Sequence, residues 1–527
     1  MVGNLRRRDV DTAVNSQVKM NSLTDRHNDA AISNTMGFEM GDDDRLKEEC
    51  GVVGIYAPNR EAARLCFFSL FALQHRGQES AGIAVSDSNK VRWHKDMGLI
   101  SQVFNEETLA SMPGEMAVGH TRYSTTGASV LRNAQPVYCQ SLVGEIAVAH
   151  NGNLINTATL RQELEAEGEV FDTTSDSELI ARILVRFLHD GPEIAVSEVM
   201  RRCEGAFSVT VLTPRMIIGF RDPNGVRPLV AASLPDGGYM LASESCALTP
   251  VDGKVVREIE PGEMAIIDHS GLRFSDGHTH RKRSMCLFEF IYFARPDSHM
   301  YGTSLYLARQ RMGANLALEH PTEADIVVPV PDSGIPAALG YANASGIPFC
   351  EGMMKSRYIH RTFIAPDQRL RELGVKMKLS VLEENIKGKR LVLVDDSIVR
   401  GTTTRQIVKL LFDTGAREVH VRITAPPIKF PCFYGIDMAS KGELAAAVMS
   451  IKDLESHLGA TSLGFLSIEG AVSAVGAPQG DFCLACFNGD YPIPIPQSLV
   501  KHAYESPPEV GEMAGVTHGQ IPLLTDV

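Results

Sequence analysis

No apolar run in the 527-residue sequence reaches the length of a membrane span, so the sequence offers no transmembrane helix. Positive charge is also short. There are 51 Lys and Arg against 64 Asp and Glu, a formal net charge of -13. A nucleic-acid polymer calls for a basic surface and is excluded as the main partner, although a local phosphate site is not. The first 49 residues lack the apolar core of a secretory signal, and their acidic residues do not suit an organelle-targeting helix. They mix RRR with Asp, Asn, Ser and Thr, and they hold too little apolar surface to fold. The expected location is the cytoplasm. Ten cysteines in so long a chain do not make a disulfide framework, and Cys66, Cys139, Cys203 and Cys246 read as small buried hydrophobes.

The length exceeds what one core supports, so two or three domains are expected. From Cys50 to about residue 264 the chain has many short β-like runs (GVVGIYA, AGIAVSD, EIAVAHNGN, AFSVTVLT, MIIGFRD) punctuated by Gly, Asn, Asp and Pro. Helical patterns interrupt them at 62–73 and 177–188, the second after the capping stretch TTSDSE. This predicts an α+β domain with largely antiparallel sheets. Beyond about residue 280, ADIVVPVPDSG and KRLVLVDDSIVRGTTTRQIV each hold a continuous apolar strand that runs into a loop. The second goes on through a helix into another strand, which is the pattern of a parallel α/β sheet. The expected boundaries are a leader at 1–49, a first domain at 50–283, a second at 284–480 and a C-terminal segment at 481–527. No low-complexity linker separates the two halves, so they should share a tight interface.

Cys50 stands where the polar leader meets the first strand. A nucleophilic thiol needs a base, and two solutions are open. His75, His120 or His150 downstream would serve. Cleavage between Glu49 and Cys50 would instead free an α-amine that titrates near about 8 beside a thiol near about 8.5, so proton transfer between them costs little. Arg122 in GHTRYSTTG suits bidentate clamping of a carboxylate. Asn151 and Gly152 in AVAHNGNLIN offer an amide and an unobstructed N–H for an oxyanion. Asp176 in TTSDSE suits an ammonium group. Singly these read as a salt bridge, a turn and a helix cap. Together they form a clamp for an amino acid whose side chain is offered to the thiol.

The second constellation is LVLVDDSIVRGTTTRQIV. A strand delivers Asp395 and Asp396 to its carboxyl end, where they suit vicinal hydroxyls or Mg²⁺. Ser397, Ile398, Val399, Arg400, Gly401, Thr402 and Thr403 then form a loop and helix start that can nest a phosphate. Neither G-x-G-x-x-G nor G-K-[ST] is present, which excludes the dinucleotide fingerprint and the Walker A loop. A plain capped turn is disfavoured, because adjacent carboxylates repel each other without a cation or donor. Near the C-terminus, Cys483 and Cys486 in CLAC have the spacing of a zinc site, a redox pair or a structural motif. Distant Cys286 and Cys432 complete a candidate S₄ set, for which spacing alone favours structural zinc.

The segments CGVVGIY, LQHRGQESAGIA, GHTRYSTTG, HNGNL and SDSE resemble the glutamine amidotransferases with an N-terminal nucleophile fold. With VLVDDSIVRGTT, the chain from Cys50 onward resembles the amidophosphoribosyltransferase family of de novo purine (IMP) synthesis. The resemblance implies a four-layered αββα glutaminase followed by a type I phosphoribosyltransferase domain. It implies that Cys50 is the nucleophile, with its own α-amine as base, and passes through a γ-glutamyl thioester. Arg122 and Asp176 would bind glutamine, and Asn151 with Gly152 would form the oxyanion hole. Phosphoribosyl diphosphate would lie on residues 395–403, facing the loop PVPDSG and the basic Lys355, Arg357, Arg361 and Lys378. One Mg²⁺ per subunit would be linked to Ser333, Asp395 and Asp396. Ammonia would attack the anomeric carbon to give 5-phosphoribosylamine, glutamate and diphosphate.

In the iron–sulfur branch of the family, cysteines in these contexts hold a [4Fe–4S] cluster, which reverses the preference for zinc. One cluster per subunit would rest on Cys286, Cys432, Cys483 and Cys486, and a propeptide would end at Glu49. The resemblance also implies a homo-oligomer inhibited by purine nucleotides. Two rivals are a glutaminase serving another sugar-phosphate acceptor and an inactive nucleotide-binding regulatory homologue. VLVDDSIVRGTT and the four cysteines oppose the first, and the intact set of site residues opposes the second.

Overall fold

A computed structural model describes residues 50–123, 129–141, 144–277, 282–356, 379–436, 438, 441–497 and 499. The expected leader at 1–49 therefore lies outside the described residues, as do Arg357, Arg361 and Lys378.

The N-terminal half is built on two antiparallel sheets. Seven strands run in the order Lys254–Glu258, Val230–Ser233, Tyr239–Ala242, Gly51–Tyr56, Met116–Arg122, Ser80–Ser86 and Val91–Met97. Six more run in the order Gly271–Asp276, Glu263–Asp268, Ile217–Arg221, Gly205–Leu212, Gly144–Leu154 and Val137–Ser141. Strand alternation sorts their side chains into separate cores. Val53 and Ile55 pack outward with the helix Ala62–Ala72, whereas Val52 and Tyr56 pack inward with Ala147, Ala149 and Leu212 of the other sheet. On the far side, Val148, Val209 and Val211 join helices Asp176–Phe187 and Pro192–Arg202. The order of layers is helix, sheet, sheet, helix, as the resemblance implied. Both expected helices form within a residue of their predicted ends. Cys66, Cys139, Cys203 and Cys246 are buried in these layers, and burial pushes all four thiols up.

The second half carries a four-stranded parallel sheet in the order Ile326–Pro329, Arg390–Asp395, Glu418–Ile423 and Ser462–Phe465. These are the apolar runs read from the sequence, buried as a sheet covered by helices should be. Helices Leu305–Glu319 and Ile335–Ser345 touch backbone to backbone. A Cβ at Gly313 would stand 1.8 Å from Ala337 O, and one at Gly340 would stand 1.8 Å from Gln310 O. A further short parallel ladder sets Met285–Cys286 beside Phe482–Cys483, drawing the C-terminal segment back to the start of this half. No helix among the described residues is long and apolar enough to cross a membrane.

The halves are joined by specific bonds as well as apolar packing. Arg227 donates to Tyr434 O from Nε at 2.9 Å and from Nη2 at 2.6 Å. Asn153 Nδ2 donates to Phe433 O at 3.0 Å.

Candidate functional site

Alternation also decides which polar groups converge. Cys50 precedes Gly51, which pairs with Thr121, so it stands at the register position opposite Arg122. Both lie on the inner face that Val52 and Val118 share. Asn151 follows Ala147 and Ala149 on the inner face of the other sheet. The space between the sheets thus receives Cys50, Arg122 and Asn151, all buried.

The Cys50 thiol donates to Tyr123 O at 3.3 Å. Burial pushes it up to about 11, against the smaller opposing effects of the Tyr123 hydrogen bond and the Arg122 charge. Arg122 lies 3.8 Å from Glu79. The Asn151 side-chain NH₂ is buried and has no hydrogen-bond partner among the described residues. That is a costly state for a donor unless a ligand answers it. Gly152 has a φ of +140°, and a Cβ there would stand 2.0 Å from Ala206 O, so only glycine fits. Asp176 is the first residue of its helix, and its Oδ2 accepts from Leu154 N at 3.0 Å. This bond ties it to the strand that carries Asn151 and Gly152.

None of the three histidines is bonded to the thiol. His75 Nε2 lies 2.7 Å from Glu244 Oε1, and His120 Nε2 lies 3.0 Å from His150 O. His150 faces outward, with Nδ1 3.1 Å from Ser177 Oγ and 3.7 Å from Asp176 Oδ1. Burial pushes His120 down to about 3 and lowers His150 as well. Sequence reasoning missed the group that does touch Cys50. Arg76 donates from Nε to Cys50 O at 3.0 Å and is itself held by Glu244 and Glu289. Arg76 lies in LQHRGQESAGIA, a segment that carries the resemblance without a role for this residue, and a lone acid inside the apolar run CLFEFIYF is a further sign.

The second constellation assembles at the carboxyl ends of adjacent parallel strands, where ligands of α/β sheets bind. Asp395 and Asp396 end the strand Arg390–Asp395, and Ser397 Oγ donates to Asp396 Oδ1 at 2.7 Å. Ile398 and Val399 are buried, so their part in the loop is to anchor it. Gly401, at a φ of +83°, turns the chain into helix Thr402–Asp413, whose N-terminus has no side-chain cap. The loop 331–334 leaves the neighbouring strand, and a Cβ on Gly334 would stand 2.6 Å from Val394 O. Ser333 Oγ is buried without a hydrogen-bond partner among the described residues. Lys355 reaches the same loop, 3.1 Å from Asp332 Oδ2.

Cys286, Cys432, Cys483 and Cys486 also come together. Cys286 pairs directly with Cys483 in the short ladder. Burial raises the thiols of Cys483 and Cys486, and the neighbouring cysteines push both further up. Among the described residues, no three His, Cys, Asp or Glu side chains are arranged to hold a single metal ion.

Comparison with known proteins follows the same division. Residues 120–250 match the family model of a glutamine amidotransferase domain, and residues 307–425 that of a phosphoribosyl transferase domain. Over 461 residues the chain is 50% identical to the amidophosphoribosyltransferase of Synechococcus elongatus, covering 86% of this chain and 94% of the relative. Over 453 residues it is 50% identical to that of Archaeoglobus fulgidus, covering 85% and 98%. The chain belongs to the amidophosphoribosyltransferase family. As a member it is an enzyme, and its acceptor half is a phosphoribosyltransferase rather than a sugar-phosphate isomerase or synthase. Two solved structures share the fold at a TM-score of 0.80 and 45% identity. One is glutamine phosphoribosylpyrophosphate amidotransferase from B. subtilis complexed with ADP and GMP, covering 85% of this chain and 98% of that one. The other is the allosteric regulatory enzyme of purine biosynthesis, covering 85% and 97%.

Proposed function

We propose that the chain moves ammonia from glutamine to phosphoribosyl diphosphate, releasing 5-phosphoribosylamine, glutamate and diphosphate as the first step of purine synthesis. The observation that carries this reading is the pairing of two half-sites on one chain. A buried thiol and an unanswered amide donor lie on the inner faces of two packed sheets, and an acidic strand end opens onto an uncapped helix.

In the glutaminase half, Arg122 takes the glutamine carboxylate and Asp176 its ammonium, leaving the side-chain amide beside Cys50. The thiol adds to the amide carbon, and the oxyanion is received by Asn151 Nδ2 and Gly152 N–H. The α-amine of a processed Cys50 accepts the thiol proton and passes it to the departing ammonia, so the base and nucleophile belong to one residue. Water then releases glutamate from the thioester.

In the transferase half, residues 397–403 hold the 5-phosphate and the paired aspartates hold the ribose hydroxyls. The loop 331–334, with Lys355, Arg357, Arg361 and Lys378, faces the diphosphate. Oxygen donors of this kind fit Mg²⁺, which binds through one or two carboxylates and substrate phosphates. The buried, unpartnered Ser333 Oγ is a suitable additional donor. Mg²⁺ there would neutralise charge on the leaving diphosphate. The domains divide at 50–283 and 284–480, with the ligand-bearing segment at 481–527.

Cys286, Cys432, Cys483 and Cys486 fit a [4Fe–4S] cluster. The donors are all thiols, brought together from separate segments, and a tetranuclear cluster holds its ligands farther apart than one zinc ion does. It would act as a structural cross-link, since displacement at the anomeric carbon needs no electron transfer. The ADP and GMP on the B. subtilis relative support purine nucleotides as regulators of this chain. The family resemblance supports a cytoplasmic homo-oligomer.

The test is phosphoribosyl-diphosphate-dependent release of diphosphate, with glutamine or with free ammonia. Cys50→Ala should abolish the first and spare the second. Failure of both nitrogen sources in iron-replete wild-type protein overturns the reading.

A further inference from the structure

Cys50 supplies three atoms whose positions matter: Sγ, the main-chain N and the main-chain O. Once the chain starts at Cys50, nothing precedes it to hold it, and chain termini fray unless tied down. Gly51 is fixed by the strand ladder, yet the backbone of Cys50 lies one residue outside it. Its carbonyl is held by Arg76 Nε at 3.0 Å.

Arg76 does not stand alone. It is buried, with Nη1 donating to Glu244 Oε1 at 2.6 Å and to Glu289 Oε2 at 3.0 Å, while Nη2 donates to Glu289 Oε1 at 2.7 Å. Glu244 is a glutaminase-half residue already committed elsewhere. Its other oxygen accepts from Arg295 N at 2.9 Å and Ser298 Oγ at 2.7 Å. Glu289 comes from the opposite side, three residues after Cys286. It opens the short π-helical turn Glu289–Phe293, which the transferase helix fixes in place. Arg309 on that helix donates to Phe290 O at 2.9 Å and to Ala294 O at 2.6 Å. The fork-to-fork pairing of Glu289 with Arg76 fixes the plane of the guanidinium, as bidentate pairs do, and with it the direction of Nε.

We infer that Glu289 is a positioning residue for glutamine hydrolysis: supplied from the transferase side, it aims Arg76 at the Cys50 carbonyl and so sets where the thiol and α-amine stand. The inference rests on Cys50 being the nucleophile. It assigns Glu289 no contact with glutamine, which Arg122 and Asp176 hold independently. Losing the clamp should therefore slow the chemical step and leave glutamine affinity alone. A displacement of about 1 Å at a reacting group can cost on the order of 10²-fold in rate.

The experiment is Glu289→Gln in the full chain. The variant keeps the shape and removes the charge, so one end of the fork meets an amide NH₂ that cannot accept from Arg76. The expected result is a glutamine-supported kcat lowered at least about tenfold, KM for glutamine within about twofold, and an ammonia-supported rate within about twofold of wild type. Equal loss with both nitrogen sources would mean a merely structural residue and overturn the inference. So would an unchanged glutamine-supported kcat, or a raised KM without loss of kcat. Glutamine-supported turnover that survived in Cys50→Ala would instead sink the assignment of the nucleophile, so the two failures are separable.

Discussion

Asn153 donates from Nδ2 to the main-chain carbonyl of Phe433 at 3.0 Å, tying the strand that carries Asn151 and Gly152 to the residue after Cys432. The same stretch is held twice more. Arg227 donates to Tyr434 O, and Gly435 lies so near Gly152 that a Cβ on it would stand 3.2 Å from the Gly152 Cα. The candidate oxyanion residues thus rest on a surface that the other half provides. Asn153→Ala removes the bond to Phe433 O, a neutral hydrogen bond worth about 1 kcal/mol, along with the longer one from Nδ2 to Leu154 O at 3.4 Å. The expected outcome is a glutamine-supported kcat lowered roughly three- to tenfold, with the ammonia-supported rate unchanged, read in a steady-state diphosphate-release assay.

Asn151→Ala probes the oxyanion directly. Its buried NH₂ is unsatisfied as the chain stands, so truncation leaves no new orphan and should not destabilise the fold. An oxyanion donor contributes in the transition state more than in the ground state, so the effect belongs on kcat. Glutamine-supported kcat should drop about 10²- to 10³-fold with little change in KM. A proportional rise in KM would show that Asn151 serves binding instead.

The sheets and the sites differed in how far they could be read from the residues. Runs such as LVLVDD and GVVGIYA announced their strands, because a buried parallel strand needs continuous apolar residues and a two-faced one needs alternation. In the structure the same alternation turns Cys50 and Arg122 of one sheet toward the space that Asn151 enters from the other. Glu289 was not legible, since its meaning depends on Arg76 more than 200 positions earlier in the chain, and pattern carries no such pairing. The residues around Cys50 leave the base open between a histidine and the α-amine; the structure gives His75, His120 and His150 other partners, and the choice of the α-amine rests on the family resemblance.

Asp395→Asn and Asp396→Asn test the transferase half. Each removes a charged acceptor from the end of the strand, where a hydrogen bond to a charged group is worth about 1.5–3 kcal/mol. Phosphoribosyl diphosphate turnover should fall about 10- to 100-fold with either nitrogen source, whereas Cys50→Ala spares ammonia. Ser397 donates to Asp396, so a Ser397→Ala variant should reproduce a smaller part of the Asp396 loss.

Replacing one ligand tests the four-cysteine centre. Cys432 Sγ accepts from Tyr434 N at 3.3 Å, next to the residues 433–434 whose carbonyls accept from Asn153 and Arg227. Anaerobically purified wild-type protein should carry about four iron per chain and a broad absorbance near about 400 nm, and Cys432→Ser should lose both. Stoichiometric zinc without iron in the wild type would return the centre to the single-ion reading.

The processing claim can be settled by mass and by pH. Burial holds the Cys50 thiol up at about 11, so at neutral pH it is a protonated thiol and requires a base to become a nucleophile. No histidine bonds to it among the described residues, and the proposed base is the α-amine that cleavage after Glu49 would free. An α-amine ionises near about 8 and accepts a proton only when neutral. The sign follows. Glutamine-supported kcat/KM should rise with pH as the amine loses its proton and level off above its pKa, while ammonia-supported turnover does not report that group. Intact mass of active protein should begin at Cys50. An active chain that retains Glu49 has no α-amine at this position, and the self-contained base would have to be abandoned even though the thiol, the fold and the acceptor site remained as they are.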